Sequence, residues 1–148
     1  MWFEAGGEQS DSFTYTLEHN SGRPVLVIAA EDYTGGAPDY PSKDGPRYLK
    51  DYTDALTRAD VSFDVYDIDA HQRVSPSFLG VLSHYRGVVW YTGDDRAMHP
   101  TGWPDGESST AERDVMLAVR DFMNEGGKLL YSGPYAAMPF IDYQLYNP

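Results

Sequence analysis

The sequence contains no cysteine. That excludes disulfides, thiolate metal sites and a cysteine nucleophile. Cations are scarce: Lys and Arg total 11 against 23 Asp and Glu, for a formal net charge of -12. So acidic a surface argues against nucleic acid and anionic membrane as partners, because both demand clustered cations. Its plainest consequence is solubility. No run approaches the roughly 18 consecutive apolar residues of a membrane span. The first residues, "MWFEAGGEQSDS", lack both the basic and the apolar segment of a signal peptide. The histidines, His19, His71, His84 and His99, include no pair at i, i+3 or i+4, so no helical zinc pair is present.

What is present is a chain of 148 residues, 41% of them apolar, enough for one domain with a sizeable core. Residues 1–22 read as an irregular lead-in with a short strand at 13–17. Residues 23–148 read as a single domain, expected to be a fragment of a longer parent chain. "RPVLVIAA" (23–30) is a short, β-branched apolar run, the mark of a strand buried on both faces. "RYLKDYTDALTRA" sets Leu49, Tyr52, Leu56 and Ala59 on one helical stripe. "VSFDVYDID" alternates Val61, Phe63 and Val65 with polar residues as a second strand. "SPSFLGVLSHY" predicts a short helix capped by Ser75, with Pro76 in its first turn. "RGVVWYT" is a third strand.

"STAERDVMLAVRDFMNEGG" opens on the capping-box spacing Ser109-x-x-Glu112. It aligns Val115, Val119, Phe122 and Met123 and stops at Gly126 and Gly127. "KLLYS" is a fourth strand, followed by an aromatic tail. Strands alternating with helices at this spacing predict a three-layer α/β/α domain around a mainly parallel open sheet, flavodoxin-like in outline.

Ligands of such sheets bind outside the carboxyl ends of the strands. Glu31, Asp32 and Tyr33 follow the first strand, Asp67 and Asp69 the second, and Thr92, Gly93, Asp94 and Asp95 the third. His99 and Trp103 lie in the loop beyond. This edge gathers carboxylates that a hard cation would relieve, and aromatic rings suited to sugars or protein surfaces. The same acids serve equally as helix caps and solvated loop residues. We take 31–36 and 92–105 as the candidate binding surface. "LLYSGPYAAM" has the strand–turn outline of a nucleophile elbow, but Gly133 occupies the tip and Tyr131 and Tyr135 flank it where small residues are needed. Ser132 is one position early. No catalytic residue and no metal ligand is assigned.

The segments "EDYTG", "VYDIDA", "VLSHY", "VVWYTGDD" and "NEGGKLLYSG", within residues 24–137, resemble the accessory domain of large secreted bacterial zinc carboxypeptidases. That domain is similar to the class I glutamine amidotransferase fold. The resemblance implies a secreted origin and a non-catalytic binding or architectural role. It also implies a peptidase domain of the same parent chain as partner, with zinc held there and no cofactor here, and peptide or surface glycan as further ligands. Neither family's catalytic set is present. Zinc carboxypeptidases use HxxE, and the histidines here are followed at the third position by Gly22, Val74, Gly87 and Gly102. Class I amidotransferases use a cysteine at the elbow, where this chain has Gly133. The competing expectation is a cation-dependent hydrolase or carbohydrate-related enzyme working at the acidic edge.

Overall fold

The computed structural model describes residues 4–9, 21–33, 44–94 and 109–133. The chain begins with an antiparallel pair, β1 (Glu4–Ala5) and β2 (Glu8–Gln9). They are joined by Gly6 and Gly7, both at positive φ (63° and 86°). Two left-handed residues in a two-residue loop are what a tight hairpin needs. The hairpin lies within the segment expected to be irregular; its Gly-Gly pair was the signal for it. The strand expected at 13–17 lies outside the described residues.

The domain proper is a four-stranded parallel sheet of β3 (Val25–Ala29), β4 (Phe63–Asp67), β5 (Gly87–Tyr91) and β6 (Lys128–Ser132), in the order β4-β3-β5-β6. The first strand of the sheet thus pairs with both the second and the third, in the registers Val27↔Val65 and Val27↔Val89. This is the flavodoxin-like order, with the direction of winding reversing between β3 and β5.

The two central strands are buried on both faces. Leu26, Ile28, Val88 and Trp90 look to one side, where they meet Val115, Val119 and Phe122 of α2 (Ser109–Asn124) together with Val81 and Leu82. Val27, Ala29, Val89 and Tyr91 look to the other, against Tyr48, and Leu49, Tyr52 and Leu56 of α1 (Leu49–Arg58). Each such aliphatic side chain contributes about 1.5–3 kcal/mol on leaving water. The three-layer expectation therefore holds, and so does the reading of "RPVLVIAA" as a doubly buried strand.

Two local expectations need correction. Residues 75–85 do not form an α-helix; they make turns that end in a single 3-10 turn, Leu82–His84. The cap is Ser77, not Ser75: its Oγ accepts the Gly80 N–H at 3.0 Å. Hydrogen bonds from Ser83 N–H to Phe78 and from His84 N–H to Val81 span five and three residues, so no regular ladder propagates past Gly80. Met123, placed on the buried stripe of α2, is 44% exposed, while Val115, Val119 and Phe122 are buried.

The end of α2 follows the sequence closely. The Gly126 N–H bonds to Met123 and the Gly127 N–H to Phe122, a Schellman closure with Gly126 at φ 91°. Gly127 is required for a second reason: a Cβ there would run into the Phe122 ring.

Candidate functional site: the carboxyl edge of the sheet

The carboxyl ends of β3 and β5 meet at the reversal point of the sheet, and the expected edge is found there. The Ala30 N–H bonds to the Tyr91 carbonyl at 2.9 Å and the Thr92 N–H to the Ser132 carbonyl at 3.1 Å, so the ladder carries both chains one residue beyond their strands. What the side chains do beyond that point separates them into two groups.

Glu31, Asp32 and Tyr33 turn inward. Glu31 is fully buried, and its two carboxylate oxygens accept the backbone N–H groups of Arg47 (2.9 Å) and Tyr48 (2.8 Å). These N–H groups precede the first turn of α1, where donors lack intrahelical partners and an anion is favoured. Glu31 thus anchors the helix to the sheet. Gly93, at φ 61°, makes room for it: a Cβ on Gly93 would lie 2.7 Å from the Glu31 Cγ.

Asp32 is equally buried and pairs with Arg73, whose guanidinium also pairs with Asp69. One buried cation therefore holds the ends of β3 and β4 together. Tyr33 donates its hydroxyl to Asp67 Oδ2 at 2.8 Å. Burial, then the bond to Asp67, pushes its ionisation well above that of an ordinary tyrosine. The other oxygen of Asp67 accepts the N–H groups of Asp69 (3.0 Å) and Ala70 (3.2 Å), shaping the turn after β4. The acids after the second strand are thus engaged within the fold.

Gly93, Asp94, Ser132 and Gly133 face outward instead. Together with Tyr48, Asp51 and Tyr52 they line a depression of about 410 Å³. Asp94 is exposed; it accepts the Tyr48 hydroxyl and lies 3.8 Å from the Arg47 guanidinium. The bond to Asp94 raises the ionisation of Tyr48. Tyr52 stacks on Tyr91 with ring centroids 4.2 Å apart and donates its hydroxyl to Ser132 Oγ at 2.9 Å. Asp95, His99, Trp103 and Tyr135 lie outside the described residues.

The tip of the elbow outline is closed. A Cβ built on Gly133 would collide with Thr92 Oγ1, which is buried and has no hydrogen-bond partner among the described residues. Ser132 Oγ accepts the Tyr52 hydroxyl, and no histidine is among the described residues that line the depression. The arrangement sets the rings and hydroxyls of Tyr48 and Tyr52 beside two carboxylates, Asp51 and Asp94, a chemistry suited to hydroxyl-rich or cationic groups.

Tyr48, Asp51 and Tyr52 were not among the residues selected from sequence. A parallel βα unit returns its helix from the carboxyl edge, so the first turn of α1 was bound to border the site. That topological rule, applied to "YLKDY", was the available signal. Among the described residues no group of three His, Asp or Glu is arranged to hold a metal ion, and no helix is long and apolar enough to cross a membrane. No protein-family description, no curated protein and no solved structure matches the chain.

Proposed function

We propose that this is a non-catalytic binding domain of the amidotransferase-like type, acting as an accessory domain of a secreted zinc carboxypeptidase. In this reading the Tyr48–Tyr52–Asp94 depression is its ligand-facing surface. One observation carries the non-catalytic part: Thr92 fills the space that a nucleophile at position 133 would need. The association with a peptidase rests on the resemblance of "EDYTG", "VVWYTGDD" and "NEGGKLLYSG". The ligand is a glycan or peptide strand presenting hydroxyl or amide donors, which the carboxylates and phenol oxygens accept while the rings stack.

The rival reading, a cation-dependent hydrolase, needs Glu31, Asp32, Asp94 and Asp95 to converge. Glu31 is instead engaged by the N–H groups of Arg47 and Tyr48 ahead of α1, and Asp32 by the Arg73 guanidinium.

Sequencing the source gene on both sides of this segment tests the peptidase association. A secretion signal and an HxxE motif in the same reading frame are expected, and a frame without them overturns it. Assays for glutaminase and esterase turnover test the non-catalytic claim. We expect none, and turnover abolished by Ser132→Ala would overturn it.

A further inference from the structure

The faces used by successive crossovers follow a rule. α1 carries the chain from β3 to β4, toward one edge of the sheet, and packs on the Val27 face. The turns around Phe78, Val81 and Leu82 carry it the other way, from β4 to β5, and α2 continues from β5 to β6; both pack on the Leu26 face. Opposite moves on opposite faces are what crossovers of a single hand require. By the same rule, a chain moving outward again from β6 crosses on the α2 face, over the outer flank of α2.

That flank is an apolar groove of about 240 Å³. Met116, Leu117 and Met123 of α2 line it from one side, and Trp90, Leu129 and Tyr131 of the last two strands from the other. Leu117 and Met123 stand 42% and 44% exposed, so Met123, absent from the buried stripe, belongs to this second one. Although the chain has a net charge of -12, no acid is among the described residues that line the groove; its charged residues are Arg113 and Arg120. The Trp90 indole N–H is buried without a hydrogen-bond partner among the described residues. A buried donor favours a neighbour that brings acceptors, as a polypeptide does.

The chain leaves β6 at Ser132, and "PYAAMPFIDYQLYNP" (134–148) follows. Fifteen residues reach up to ~50 Å, against about 17 Å for a strand the length of β6, so this segment is long enough to turn back along the groove. Its Met138, Phe140, Ile141 and Leu145 gain by burial, and its one charge, Asp142, is opposite in sign to Arg113 and Arg120. We propose that residues 134–148 are the occupant of this groove and complete the domain on the α2 face. The inference does not rest on the functional reading given above.

A sequence without cysteine makes the test direct. Phe140→Cys is combined with Leu117→Cys in the groove wall, or with Leu130→Cys as the control. Leu130 is 57% exposed and close to the end of β6; it alternates with Leu129 and Tyr131 and so faces the α1 side. A segment that is tethered but not docked reaches both positions comparably. Oxidation of the 117 pair within one chain is expected to run about tenfold faster or more than that of the 130 pair, because docking raises the effective concentration at one site alone. Equal rates at the two positions overturn the proposal, and so does the absence of a disulfide at 117. Disulfides that join two chains overturn it as well, because a second copy would then cover the groove. Circular dichroism verifies the fold of each variant, and Met138→Cys replaces Phe140→Cys if the latter does not fold.

Discussion

Thr92 Oγ1 occupies the point from which a side chain at Gly133 would grow. The two residues lie at the ends of neighbouring strands, β5 and β6, and their fit decides whether the turn after β6 can bear chemistry. Gly133→Ala should destabilise the domain by about 1–3 kcal/mol, the usual range for overpacking. Thr92→Ala, which removes a buried hydroxyl without a partner, should cost less, and the double variant should recover most of the Gly133→Ala loss. Urea unfolding of the four proteins measures the coupling; simple additivity would show that the two side chains do not compete for the same space.

Glu31 should matter to one helix more than to the domain. Glu31→Gln keeps one acceptor and turns an amide N–H₂ toward the N–H groups of Arg47 and Tyr48. A loss of about 1–3 kcal/mol is expected, the scale for a buried donor left without its acceptor. Amide exchange at Arg47 and Tyr48 should accelerate before that of β3. Unchanged protection at these two amides would refute the anchoring role.

Arg73 should be less replaceable than any surface cation. Its guanidinium is buried between Asp32 and Asp69. Removing one partner of a buried ion pair typically costs about 3–5 kcal/mol, because the remaining charge is left buried. Arg73→Ala is therefore expected to lower the thermal midpoint steeply. Arg120→Ala, whose partner Asp121 is close to solvent, should shift it hardly at all. Comparable shifts for the two variants would contradict the buried triad.

Asp64 sets an acid limit. Burial works to raise its ionisation, but hydrogen bonds from Ser21, Tyr85 and Arg23, with the Arg23 charge, outweigh burial and hold it below the ordinary 3.8. A carboxylate depressed in the folded state contributes stability that is present above pH 3.8 and is lost as pH falls through its folded value. The fall in stability below pH 3.8 should be shallower in Asp64→Asn than in the parent chain. Parallel curves down to acid unfolding would remove Asp64 from the account.

The central strands could be read directly because a strand buried on both faces must be apolar at every position, as "VLVIA" and "GVVWY" are. The end of α2 was legible because Gly126 and Gly127 leave few alternatives. The region after β4 was not. Its structure depends on a single arginine at φ 64° reaching two aspartates, and no periodicity announces that. At the candidate site, the position of Glu31 after β3 was visible, but its direction was not. That direction is set by where the chain returns to enter α1, sixteen residues later at Arg47. An acid that grips a helix and an acid that faces a ligand look alike until the returning backbone is placed.

The strand order has a consequence for how the chain is made. β4 pairs with β3, β5 then joins the free side of β3, and β6 joins the free side of β5. Every strand emerging from the ribosome thus finds an edge already waiting and never has to be wedged between two partners. The sheet can grow outward in the order of translation, and "VLVIA" stops being a sticky ribbon only when "GVVWY" arrives, sixty-two residues behind it at Val25↔Gly87.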